Sequence, residues 1–73
     1  MSIEQQFLID CIIDDVASYL IDDMGITILE SLDIIYNSQF YDKLSDVSTC
    51  LYRQSSRYNY EYLKHELNFG KIA

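Results

Sequence analysis

The sequence predicts an all-α domain, a compact bundle of three or four helices. Three observations carry that expectation. The chain has no proline and two glycines, Gly25 and Gly70, so few residues interrupt a helix. Two capping boxes, Ser2 with Gln5 and Thr27 with Glu30, each stand directly before an apolar run. Apolar side chains then recur at the three-to-four-residue spacing of one helix face.

Taken in order, the first helix spans about residues 3–23. Ser2 opens it, and it stops at Met24-Gly25, with Gly25 free to adopt the left-handed conformation of a helix end. The second, opened by Thr27, covers about 28–37 and ends near Asn37-Ser38. Ser38 caps a third, short helix over 39–45. Asp46-Val47-Ser48-Thr49 reads as a turn or loop. Residues 50–54 are short and mixed in character, and an extended piece fits there. Ser55-Ser56 then caps a last helix over 57–69, closed by Gly70. Tyr58-Asn59-Tyr60-Glu61-Tyr62 alternates with period two, which is a strand signal, so a small hairpin across Ser55-Ser56 competes. The helix is favoured because Tyr58 and Tyr62 are also i,i+4 partners and Leu63, Glu66 and Leu67 continue the spacing. Lys64, His65 and Lys71 lie toward the end of that helix, where its dipole favours them.

The 73 residues make one domain, 1–73, too short for a Rossmann domain, a TIM barrel or a kinase. A chain of this size buries only about 60% of its unfolded surface. A disulfide, a metal or a partner usually assists such a core. Cys11 and Cys50 each lie in an apolar stretch and are expected to be buried thiols, not a disulfide. No Cys-x-x-Cys is present, and His65 is the single histidine, so neither a metal nor a cofactor is expected. Oligomerisation remains. With 49% apolar residues, seven Tyr and three Phe, the chain is not expected to be disordered. Met1-Ser2-Ile3-Glu4 lacks the basic start of a signal peptide, and Asp10, Asp14 and Asp15 break the first apolar run. A cytoplasmic address without membrane contact is the expectation.

The net charge is −7, and it is unevenly placed. Residues 1–42 hold nine acids and no Lys or Arg, whereas residues 43–73 hold five bases and three acids. Acidity of this kind argues against a phosphate backbone as partner. It fits a solvated acidic face, or a docking surface for a basic partner or for the basic half of a second copy. On the first helix, Asp10, Asp14, Ser18 and Asp22 form one polar stripe, with Asp15 and Asp23 beside it. The rest of 7–21 is apolar, wider than the roughly 100° a surface helix needs. Three short elements are expected to cover about half of it, so a dimer seam or partner groove is expected at Ile9, Ile13 and Leu20, against the alternative that the remaining segments wrap the helix completely. Tyr52, Arg53, Arg57 and Tyr60 add residue types enriched at protein interfaces. Tyr58 and Tyr62 then take the inward face. The reading is a non-catalytic module, a homodimer or the partner of another protein.

Two other functional classes compete with this reading. Glu61 and His65 are one turn apart, and with Asp14 they would serve a small metal-dependent or hydrolytic enzyme. Against it, a helix side is not a cleft, no calcium-loop pattern occurs, and the cysteines lack the setting of nucleophiles. Arg53, Arg57 and Lys64, interleaved with tyrosines, would serve a nucleic-acid-associated module. The net charge opposes that use.

Several segments also carry a likeness. Phe7 with Cys11-Ile12-Ile13 is followed by Tyr19-Leu20-Ile21-Asp22-Asp23, then by Ile28 with Leu32-Asp33-Ile34-Ile35-Tyr36-Asn37-Ser38. Phe40-Tyr41-Asp42-Lys43-Leu44, Leu51-Tyr52-Arg53-Gln54-Ser55 and Tyr60-Glu61-Tyr62-Leu63 complete the series. Together they resemble a family of short, uncharacterised bacterial helical proteins, a domain of unknown function. Its members are sometimes encoded near toxin-like ADP-ribosyltransferase domains. The resemblance implies a helical fold and an accessory or antitoxin-like role. It implies no catalytic residues.

Overall fold

The computed structural model describes residues 2–69, and for Phe69 the backbone alone. Four helices follow one another: α1 (Ile3–Met24), α2 (Ile28–Tyr36), α3 (Gln39–Ser45) and α4 (Ser56–Phe69). Two 3₁₀ turns, Val47–Thr49 and Leu51–Arg53, join α3 to α4. The described residues contain no strand. The stretch from 50 to 54 is therefore not extended. It contains a 3₁₀ turn, entered through Cys50 in the left-handed region at φ 58°. The alternating tyrosines of 58–62 are helical. Gly70 and Lys71 lie outside the described residues.

Each helix starts where its cap places it. Ser2 Oγ accepts from Gln5 N–H at 3.1 Å, and Gln5 Oε1 accepts from Ser2 N–H at 2.8 Å. Thr27 and Glu30 form the same reciprocal pair at 3.2 Å in both directions. Such a pair satisfies two backbone donors that a helix start leaves without partners. Gly25 ends α1 at φ 65°, its N–H donating to the Ile21 carbonyl. Ser55 Oγ accepts from Tyr58 N–H at 3.1 Å and opens α4.

The start of α3 needs more than its own cap. Ser38 Oγ accepts from Tyr41 N–H, while Glu66, reaching across from α4, accepts from Gln39 N–H at 2.9 Å and Phe40 N–H at 2.8 Å. A helix of seven residues has little stability by itself. This borrowed carboxylate satisfies two of its exposed donors and lies at the positive end of its dipole.

The centre of the molecule is α1. It supplies Ile9, Ile12, Ile13, Val16, Ala17 and Leu20, half of the buried apolar core. Its 22 residues, at about 1.5 Å per residue, account for the longest dimension, 33 Å. Helices α2 and α4 and the second 3₁₀ turn pack against it. Ile35, Phe40, Leu44, Leu51, Tyr60 and Leu63 complete the core from the other elements. No helix is long and apolar enough to cross a membrane among the described residues.

Candidate interaction surface

The inward side of α1 is filled by the chain itself. Ile9, Ile13 and Leu20, expected at a partner seam, are 1%, 4% and 1% exposed. The short elements thus cover this face more completely than the sequence suggested. Tyr60 is likewise buried. Its phase on α4 is set by Leu63, three residues on, so Tyr60 and Asn59 face the core while Tyr58 is exposed and Tyr62 half-buried. Of the expected partner residues, Arg53 and Arg57 remain exposed and Tyr52 is half-buried, its hydroxyl accepting from Gln5 Nε2 at 3.3 Å. Cys11 and Cys50 are both exposed free thiols, not buried ones. Cys11 falls on the outer side of α1, and Cys50 sits at the joint between the 3₁₀ turns.

Arg57 belongs to a seam between α1 and α4. Its guanidinium carbon lies 5.6 Å from the Tyr19 ring centre and 5.7 Å from that of Tyr60. The two rings are tilted against each other at 5.1 Å. Arg57 also pairs with Glu61 at 3.0 Å, and Lys64 Nζ sits 6.0 Å from the Tyr60 ring. Tyr60 donates its hydroxyl to Asp23, and Ser56 donates to Asp15 at 2.6 Å. Burial, and then the Asp23 carboxylate, push the Tyr60 phenol up to about 12. At this seam the Arg57 guanidinium and the Tyr19 and Tyr60 rings already hold one another, and beside it Asp23, Tyr60 and Lys64 line an open groove between α1 and α4.

Glu61 and His65 line a groove of about 320 Å³ on α4 with Tyr58 and Tyr62. Asp14, on α1, is not among its walls. The three residues of the enzymatic alternative are therefore not brought together. Among the described residues, no three His, Cys, Asp or Glu side chains are grouped to hold a metal ion. The tyrosines of the nucleic-acid alternative are divided, with Tyr60 unavailable for stacking on a base.

Of the surface that stands out, the acidic half is the polar stripe expected from the sequence, and the apolar half is not among those expectations. Ile3, Phe7, Cys11, Asp14, Ser18 and Asp22, spaced by three or four residues, form one ridge on the outer side of α1. Ile3 is 90% exposed and Phe7 55%, and both share a groove with Glu4 and Leu8. The ridge is apolar along its first half, flanked there by the exposed Glu4, and acidic along its second. The signal was present: Asp14, Ser18 and Asp22 mark the outer side, and counting back by three or four from Asp14 reaches Cys11, Phe7 and Ile3.

Comparison with known proteins adds no relative: neither the family models, the curated proteins nor the solved structures gave a match to this chain.

Proposed function

We propose that this chain is a non-catalytic protein-interaction module of the bacterial cytoplasm, an accessory or antitoxin-like partner of a small toxin. One observation carries the interaction reading. The exposed apolar side chains of Ile3, Phe7 and Leu8 adjoin one another on a helix whose opposite side already fills the core. Folding alone gives these residues nothing to cover, and apolar side chains grouped in this way mark contact surfaces. The antitoxin-like part rests on the resemblance of the sequence to small helical proteins encoded near toxin-like domains. Either a second copy or another protein satisfies the reading at this level. Light scattering coupled to size exclusion, and co-expression with the product of the adjacent gene, test it. The expected result is a mass above that of one chain or a co-purifying protein. A strict monomer that co-purifies with nothing would sink it.

A further inference from the structure

The outer ridge of α1 is specific about what can cover it. Its length from Ile3 to Asp22 is about 28 Å at the helical rise. Ile3, Phe7 and Cys11 occupy one half, and Asp14, Ser18 and Asp22 the other. All of α1 contains no Lys or Arg, and neither Asp14 nor Asp22 has an ion pair among the described residues.

A second copy fits poorly when it presents the same ridge. Two ridges laid antiparallel along their full length would set Ile3 against Asp22 and Phe7 against Ser18. Carboxylates would then be covered by apolar side chains with no cation to compensate. Laid parallel, the ridges would set Asp14 against Asp14 and Asp22 against Asp22, like charge on like charge. Overlap of the apolar halves alone engages only about two to three turns, far from the roughly 800 Å² per partner of a stable interface.

Resting on the interaction reading above, we infer that the outer ridge of α1 docks a bipartite helical segment of another protein, apolar at one end and rich in Lys or Arg at the other. The apolar end covers Ile3, Phe7 and Leu8. The basic end lies along Asp14 and Asp22 and supplies the cations that α1 lacks.

Fluorescence anisotropy with a labelled synthetic helix of about 18 residues, matched to the ridge length, tests this. Leucines at helical spacing occupy one end and lysines the other. A charge-reversed twin carries glutamate for lysine, and a second twin carries serine for leucine. The lysine–leucine helix is expected to bind, and each twin to bind about tenfold or more weaker. On the protein side, Phe7→Ser weakens binding about tenfold. The double variant Asp14→Asn with Asp22→Asn weakens it too, and flattens its decline between about 0.05 M and 0.5 M salt. All these positions are solvent-exposed, and circular dichroism checks that the variants fold.

Equal binding of the charge-reversed twin overturns the inference, as does no binding of the lysine–leucine helix at any soluble concentration. A Phe7-dependent dimer overturns it as well, since the occupant is then a second copy, yet it leaves the interaction reading standing. A natural partner that still co-purifies with the Phe7→Ser variant has the same meaning. A monomer without any partner removes the interaction reading itself.

Discussion

The buried phenol of Tyr60 on α4 donates its hydrogen to the carboxylate of Asp23 in the last turn of α1. The bond ties the two longest helices where α1 ends, and the Tyr60 ring packs against the Tyr19 ring and the Arg57 guanidinium. A neutral phenol is the form this arrangement favours. Burial opposes the phenolate, and Asp23 would repel it.

Stability should therefore fall at high pH. Unfolded, Tyr60 loses its proton near 10; folded, it keeps it up to about 12. Between those values the unfolded chain binds fewer protons than the folded one, so unfolding is favoured as pH rises. The contribution is complete below pH 10 and is lost as pH rises toward 12. Tyr60→Phe removes this titration, and its urea midpoint should change less over that range. At neutral pH the same variant should cost about 1 kcal/mol for the lost hydrogen bond. A variant as sensitive to pH as the wild type would contradict the assignment.

Glu66 holds α3 in place from another helix, and its removal should be felt there first. Glu66→Ala leaves Gln39 N–H and Phe40 N–H without their acceptor, at a cost of about 1–2 kcal/mol. Glu66→Gln keeps one acceptor oxygen and should lose less. Amide hydrogen exchange read residue by residue would show faster exchange at Gln39 and Phe40 in the alanine variant. Unchanged exchange at these two amides would mean that α3 does not depend on the bridge.

Asn59 links the second 3₁₀ turn to α4. Its Nδ2 donates at 2.9 Å to the Leu51 carbonyl and at 2.9 Å to that of Ser55, and the residue is fully buried. Asn59→Ala removes both donors and leaves a cavity, so a loss of about 2–3 kcal/mol is expected in urea denaturation. Asn59→Leu should fare no better, since it fills the space yet leaves the Leu51 carbonyl without this donor.

What the sequence made legible is local. Ser2 with Gln5, Thr27 with Glu30, Ser38 and Gly25 are signals read within a few residues, and the helix limits they imply match the structure to within a residue or two. Long-range pairings left no such mark. Glu66 is 27 residues from Gln39, and nothing near either one announces the bridge. The candidate surface failed for another reason. The width of the apolar arc on α1 was visible, but not which part the rest of the chain would cover. Ile9, Ile13 and Leu20 went inside because α2, α4 and the second 3₁₀ turn pack on that side, leaving Ile3 and Phe7 outside. Tyr60 was misplaced because the period of two in 58–62 hid the helical phase that Leu63 fixes.

Two positive-φ residues make opposite predictions. Gly25, at φ 65°, has no heavy atom within 4 Å of where a Cβ would stand, so Gly25→Ala meets no clash. Its cost is the left-handed backbone, about 1–2 kcal/mol, offset by about 0.4–1 kcal/mol through the stiffer unfolded chain. Cys50, at φ 58°, already bears that cost with a side chain whose one polar contact is a 4.0 Å approach to the Ser48 carbonyl. Cys50→Gly relieves about 1–2 kcal/mol of backbone strain and returns about 0.4–1 kcal/mol through the freer unfolded chain. The net expectation is a gain between about zero and 1.6 kcal/mol, or up to several degrees in melting temperature for a domain of this size. Thermal denaturation of both variants against the wild type reads the pair together. Gly25→Ala should melt lower and Cys50→Gly higher, and a Cys50→Gly protein that melts clearly below the wild type would mean that the thiol holds the joint between the two 3₁₀ turns.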